Sequence, residues 1–483
     1  MALFVWQLDS KQHARDGALL GWVFATVWLA CTFWWLFVAM HTYGGLASWI
    51  AALAVVALAG LLAIYYAAGS AIFVAVSPQN QYAASLLFGA LWMLAELARG
   101  VWFTGFGWGA IGYAHVNLLA GAAAYVGAYG IAGLVAGIAY LSVAAFRRRA
   151  TLSAAGYLLA AVALAAVMAW SPTGFTQSTG QLRVALLQGN IAQDEKFQTG
   201  TGVAEALGWY GQELAKGYGG LVVAPETAIP LLPHQLPEAY WTQLQQAIAH
   251  NRHAVLLGVP LGSLEAGYTN SVVGMRPADS QVPNAFDYRY DKHHLVPFGE
   301  FIPPFFRWFT EMMQIPLGDF SRGAVGQRSF AWQGQHLAPN VCYEDLFGEE
   351  LGARFRDASQ APTIFVNVSN IGWFGNTVAI DQHLNISRMR VLEFDRPFIR
   401  ATNTGQTAII DHSGRVTHVL PRLTRGVLVG EVEGRSGTTP FAWWVSRWGL
   451  WPLWLIGVSV VFAAAAMRLR QSRPERDQAA ATP

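Results

Sequence analysis

Apolar residues fall in three blocks along this chain, and that distribution limits its architecture more than any motif. Residues 18–170 are almost continuously apolar, 171–448 have the mixed composition of a water-facing domain, and 449–467 are apolar again. Only 12% of the residues are charged, about half the share of an ordinary soluble domain. Crossing a bilayer takes roughly 20 apolar residues in a helix, and both apolar blocks supply such runs. The pattern predicts a membrane domain, a water-facing domain and a closing anchor.

Spans are expected near Leu19–Met40, Leu46–Phe73, Tyr82–Phe103, Ala120–Ala145 and Leu152–Trp170, with a last one near Gly449–Met467. These give a five-span domain over 18–170, a C-terminal transmembrane helix over 449–467 and a tail over 468–483. The opening MALFVWQL is too short to span. It also lacks the basic start and cleavage site of a signal peptide, so residues 1–17 read as a stub whose helix begins outside this sequence.

Lys and Arg orient the spans. Lys11 and Arg15 precede the first, Arg147, Arg148 and Arg149 separate the fourth and fifth, and Arg468, Arg470, Arg473 and Arg476 follow the last. Six crossings put all three clusters on one side, which is then cytoplasmic, with 171–448 on the periplasmic side of a bacterial inner membrane. Trp443, Trp444, Trp448, Trp451 and Trp454 crowd the entry to the last span, where indoles favour the interface. Glu96 and Arg99, three apart in the third span, share a helix face. They mark either a function inside the membrane or a pair that snorkels to its outer surface.

The net charge of +2 says little, and no basic run or stacking motif points to nucleic acid. Two cysteines cannot make a disulfide framework, and Cys31 lies within an apolar stretch.

In the water-facing domain, short apolar runs alternate with amphipathic segments. The runs are LRVALLQ (182–188), LVVAPE (221–226), AVLLGVP (254–260), APNVCYE (338–344) and TIFVNVSN (363–370); the segments are Val203–Lys216, Glu238–Asn251 and Ala379–Phe394. This alternation predicts an α/β domain, and TAIIDHSG, VTHVL and VLVGEVE are expected as hairpin strands side by side. Glu226, Cys342 and Asn370 fall at strand ends, where such sheets carry their chemistry.

A thiol attacks only after deprotonation, so a catalytic cysteine needs a base and a positive neighbour. His293 and His294 are candidate bases. A carboxylate also serves when burial raises its affinity for protons, and a lysine can hold the oxyanion at an attacked carbonyl. Glu226, Lys292 and Cys342 suit those three roles. Spacing alone does not distinguish this site from a buried structural cysteine. The two histidines lack a spaced ligand set, so neither a metal nor another cofactor is expected.

VVAPETAIP, YDKHHLVPFGEFIP, NVCYEDLFGE and NVSNIGWFG, in that order, resemble the nitrilase (carbon–nitrogen hydrolase) superfamily. With the membrane region included, the chain resembles the apolipoprotein N-acyltransferase family over roughly residues 18–467. QGNIAQDEKF, ELARG followed by TGFGW, and QHLNISRMRVLEFDRP through RATNTGQTAII carry that likeness. The resemblance implies an α-β-β-α sandwich over 171–448, with Glu226 as base, Lys292 as oxyanion stabiliser and Cys342 as nucleophile. By the same motifs Glu300, Tyr343, Glu344 and Trp373 line or support the site, Glu300 by pairing with Lys292 and Tyr343 through its backbone N–H. Phe197 stands where the family often has Trp.

The implied reaction is a ping-pong transfer of a fatty acyl group. The donor is a phospholipid in the bilayer, and the acceptor is the N-terminal amine of a diacylated apolipoprotein. A membrane-tethered amidohydrolase, with water completing the second step, is the nearest alternative; a lipid or lipoprotein carrier is the non-enzymatic one. PPFFRWFTEMMQIPLG (Pro303–Gly318) presents Phe305, Phe306, Trp308, Phe309, Met312 and Met313 with few charges. It reads either as core or as a lid that dips into the lipid surface.

Overall fold

The computed structural model describes residues 1–148, 151–170, 174–263, 265, 267–277, 286–302 and 320–480, with backbone alone at 120 and 472–480. The lid candidates Phe305, Phe306, Trp308, Phe309, Met312 and Met313 lie outside the described residues. The chain divides into two compact units. One comprises Met1–Trp34, Ala52–Pro172 and Trp448–Pro483; the other comprises Trp35–Ala51 and Thr173–Arg447.

The first unit is helical. Ser48–Val76, Gln81–Thr104, Ala123–Arg147, Leu152–Ala169 and Trp451–Gln471 are each long and apolar enough to cross a membrane. The opening residues form a short helix, Ala2–Leu8, whose Phe4 stacks on Phe24 with ring centroids 4.4 Å apart. Glu96 and Arg99 are both fully buried. Arg99 donates to the carbonyls of Phe106 and Trp108, at 2.6 and 2.7 Å, and Glu96 accepts from the Ile111 N–H at 3.0 Å. Instead of snorkelling, the two charges cap the loop that follows their helix.

The predicted first span, Leu19–Met40, is not one helix. Ala14–Thr32 ends at Phe33, and Leu36–Tyr43 follows as a separate helical stretch. Trp35–Ala51 then packs within the second unit. Trp35 is buried there, its indole N–H on Gln382 Oε1 at 2.9 Å and its ring 4.3 Å from Phe374. Apolar side chains taken from water gain as much against protein as against lipid, so hydropathy could not foresee the turn.

Among its described residues the second unit holds two six-stranded sheets. One has the order β12-β1-β2-β3-β4-β5, the other β11-β10-β9-β8-β7-β6. The strands are β1 (Thr176–Gln188), β2 (Leu221–Val223), β3 (Ala254–Ser263), β4 (Gly267–Met275), β5 (Tyr288–Asp291) and β6 (Phe330–Trp332), then β7 (Gln335–Val341), β8 (Ile364–Ser369), β9 (Phe398–Thr402), β10 (Ala408–Ile410), β11 (Val416–Val419) and β12 (Gly426–Gly437). The expected side-by-side grouping of the last three runs holds only for β10 and β11. β12 pairs antiparallel with β1 in the other sheet, from Thr176↔Gly437 to Gln188↔Gly426, and so covers an edge that β1 would otherwise expose.

The period of two along each strand sorts side chains between two cores. Leu182, Val184 and Leu186 of β1 meet Val341, Ile364, Val366 and Val368 between the sheets. Ala185 and Leu187 face outward, onto Tyr210 and Leu214 of helix Gly202–Ala215 and Leu244 and Ile248 of helix Glu238–Asn251. Phe394 of helix Ala379–Phe394 covers Phe365 on the opposite side. This is the α-β-β-α sandwich expected.

Candidate active site

Glu226, Lys292, Cys342 and Asn370 all follow the C-terminal ends of strands: β2, β5, β7 and β8. Backbone leaving a sheet at that end is free of ladder constraints while the strand still fixes its origin. Lys292 is 1% exposed and lies between two carboxylates, its Nζ 3.4 Å from Glu226 Oε1 and 2.9 Å from Glu300 Oε2. Burial opposes its charge, but the Glu300 and Glu226 carboxylates hold the ammonium well above the ordinary lysine value.

Each carboxylate is fixed from a second direction. Asn270 Nδ2, on β4, donates to Glu226 Oε1 and to Glu300 Oε1, both at 2.7 Å. The Asn370 N–H binds Glu226 Oε2 at 2.9 Å, and the Val296 N–H binds Glu300 Oε2 at 2.8 Å. Charge-assisted bonds of this kind are the strong ones, so neither carboxylate is free to swing.

Cys342 opens a short 3₁₀ turn, Cys342–Leu346, and adopts φ 55°. A left-handed conformation is uncommon outside glycine and typical of a side chain held out at a working position. Ser369 Oγ lies 3.8 Å from its sulfur. Burial and the Glu226 carboxylate push the thiol up to about 12, against the pull of Lys292. At neutral pH it is therefore a thiol, which would have to lose its proton before its sulfur could attack.

Glu344 is buried behind the cysteine. It accepts from the N–H groups of His293 (2.7 Å), His294 (3.0 Å) and Val341 (2.6 Å), and from Tyr290 OH (2.9 Å). It thus ties the lysine's loop to the cysteine's turn. Tyr343 is buried, with its hydroxyl on the Leu295 carbonyl at 3.1 Å. Those bonds leave His293 and His294 in the wall: His293 Nδ1 meets the Gly323 carbonyl, and His294 Nδ1 meets Glu350 at 2.8 Å. Phe197 stands apart, 43% exposed. Trp373 lies in the turn Ile371–Phe374, its ring 5.8 Å from Tyr43.

Two family models match this chain. The apolipoprotein N-acyltransferase N-terminal domain matches residues 1–141, and carbon–nitrogen hydrolase matches residues 183–441. The chain is 56% identical to the apolipoprotein N-acyltransferase of Verminephrobacter eiseniae, over 98% of this chain and 92% of that one. It belongs to the apolipoprotein N-acyltransferase family. It is 43% identical to the relative from Ralstonia nicotianae (94% of this chain, 86% of that one) and 40% to that from Bordetella bronchiseptica (94% and 89%). It is accordingly a multi-pass membrane enzyme of acyl transfer with a carbon–nitrogen hydrolase unit.

Three further groups of this acyltransferase's site were given no role by the motifs: Asn270 lies outside them, while Lys196, Asp345, His383 and Arg400 lie within them. Asn270, the shared donor to both carboxylates, sits in an ordinary strand sequence. Lys196, one residue before the exposed Phe197, is 2% exposed and donates to the backbone carbonyl of Glu226 at 3.0 Å. Burial pulls its ammonium down to about 8, against the charge of Glu226. Behind Cys342, Asp345, His383 and Arg400 form a buried charged network.

Proposed function

We propose that this chain moves a fatty acyl group from a membrane phospholipid to the N-terminal amine of an apolipoprotein's diacylglyceryl-cysteine, through a thioester on Cys342. Glu226 takes the thiol proton as sulfur attacks the ester carbonyl carbon. The oxyanion that forms is held by the Lys292 ammonium and the Tyr343 N–H. The carbon–oxygen bond breaks, Glu226 returns the proton to the departing alkoxide, and a lysophospholipid leaves. In the second half the acceptor amine attacks the thioester, Glu226 takes a proton from it, the carbon–sulfur bond breaks, and the thiolate recovers that proton. The ester itself supplies the activation.

The observation that supports this most is Lys292, buried and charged between Glu226 and Glu300. A fixed cation there favours a developing oxyanion, and a protonated thiol beside a carboxylate needs that carboxylate as base. We place the enzyme in a bacterial inner membrane with 171–448 on the periplasmic face, as the Lys and Arg clusters indicate.

Mass spectrometry of the purified protein mixed with phospholipid tests the reading. A fatty acyl adduct on Cys342 should form, then vanish as a diacylated lipopeptide becomes triacylated. Absence of any adduct together with ammonia release from simple amides would make the chain a hydrolase. Full transfer by Cys342→Ser would remove the covalent mechanism.

A further inference from the structure

The carbonyl of Cys342 is gripped from two sides. Asn367 Nδ2, on β8, donates to it at 2.8 Å, and His383 Nε2, on helix Ala379–Phe394, approaches it at 3.2 Å. Asn367 is itself braced, donating to Asn340 Oδ1 on β7 at 2.7 Å.

The proton on His383 can be assigned from its neighbours. Arg400 Nη2 lies 2.9 Å from His383 Nδ1, and a guanidinium nitrogen only donates. Nδ1 is therefore an acceptor, the imidazole is neutral, and its one N–H is on Nε2. That hydrogen is shared between the Cys342 carbonyl and Asp345 Oδ1, which is 3.1 Å away. Arg400 Nη1 also holds the His383 carbonyl at 2.8 Å, and Ser387 Oγ bridges Arg400 and Asp345. Asp345, His383, Ser387 and Arg400 are all buried. The ring is thus fixed in place and tautomer, on the carbonyl side of the nucleophile.

We propose that His383 is a positioning residue for acyl transfer: its Nε2–H, locked by Arg400 and Asp345, pins the Cys342 carbonyl and with it the left-handed backbone that aims the thiol. Two donors on one carbonyl over-determine a φ that a cysteine would not keep unaided. His383 takes no proton from sulfur in this role. The proposal rests on Cys342 as the acyl-carrying nucleophile.

The experiment contrasts His383→Gln with His383→Asn in the full-length protein. Gln places an N–H near the position of Nε2; Asn reaches only as far as Nδ1. Two readouts are taken: thioester formation from phospholipid, with its KM, and alkylation of Cys342 by iodoacetamide across pH. His383→Asn should form the thioester about 100-fold more slowly, the order of loss for a reacting group displaced by about 1 Å. KM should be unchanged, and His383→Gln should recover most of the rate. The pH midpoint of alkylation should be that of the native protein in both variants. Native rates in His383→Asn would overturn the proposal, as would equal losses in both variants. A shifted midpoint would also overturn it, by making His383 a proton-transfer group. Because alkylation needs no lipid, failure of the acyl-transfer reading leaves it measurable: a native protein that alkylates at Cys342 but forms no thioester would sink that reading alone.

Discussion

Lys196 donates its ammonium to the backbone carbonyl of Glu226 at 3.0 Å, so a second cation holds the residue proposed as base. Burial lowers this ammonium to about 8. It is charged below that pH and neutral above it, so whatever its charge contributes is present at neutral pH and lost as pH rises through about 8. Lys196→Met should therefore lower acyl transfer most at pH 7. It should also flatten the decline that the native enzyme shows on crossing pH 8. A pH–rate profile of both proteins checks this, and an unchanged alkaline limb in Lys196→Met would exclude the role.

The raised thiol of Cys342 gives a second expectation. Glu226→Gln removes the proposed base, and acyl-thioester formation should fall by about 10²–10⁴, the usual contribution of general base catalysis. The stability consequence has a definite sign. Between pH 9.0 and about 12 the unfolded chain releases a thiol proton that the folded chain keeps, so stability falls as pH rises through that window. Cys342→Ser should lose this slope, which chemical denaturation at pH 8, 9 and 10 would read.

Glu344 and Glu300 should separate when each is changed to Gln. Glu344 accepts from three backbone N–H groups and a tyrosine hydroxyl. An amide keeps one acceptor and turns the other position into a donor facing an N–H. Loss of charge-assisted bonds to buried donors should cost Glu344→Gln about 2–4 kcal/mol of stability. Glu300→Gln also faces a donor, Asn270 or the Val296 N–H, but meets one backbone N–H where Glu344 meets three. It loses the ion pair with Lys292, so a larger share of its deficit should fall on activity. Thermal unfolding beside acyl-transfer rates distinguishes them, and equal melting of the two variants would count against this division.

How much of this was legible in the sequence depended on whether a residue's partner was set by local order. Glu226 and Cys342 each follow an apolar run that reads as a strand, whereas Lys292 follows the polar YRYD of β5, which pairs antiparallel with β4. Helices Gly202–Ala215, Glu238–Asn251 and Ala379–Phe394 follow from their amphipathic periodicity. Asn270 lies in no quoted motif, and Lys196, though within QGNIAQDEKF, shows no partner there, because each acquires its role from a carboxylate-bearing residue reached only through the fold. His383 was hidden for another reason: a histidine beside a cysteine suggests a base, whereas its nitrogen meets the cysteine's carbonyl. The transfer of β12 to the first sheet and the break after Thr32 depend on which apolar surface is left to cover. Neither strand propensity nor hydropathy encodes that.

The break has a consequence for the site. Trp35 packs its ring against Phe374 and bonds Gln382, Val38 lies beside Gly375, and Tyr43 meets Trp373. The turn Ile371–Phe374 follows directly on Asn370, whose N–H holds Glu226. A segment drawn from apolar sequence thus buttresses the turn that holds Glu226. Trp35→Ala should leave a cavity costing about 3–5 kcal/mol, as for a large buried aromatic. Trp35→Phe keeps most of the volume and loses the bond to Gln382, so its cost should be nearer 1 kcal/mol. If the segment braces Glu226 through that turn, Trp35→Phe should slow thioester formation several-fold with little change in melting temperature. Native rates in Trp35→Phe, with Trp35→Ala impaired only in proportion to its lost stability, would reduce the segment to packing.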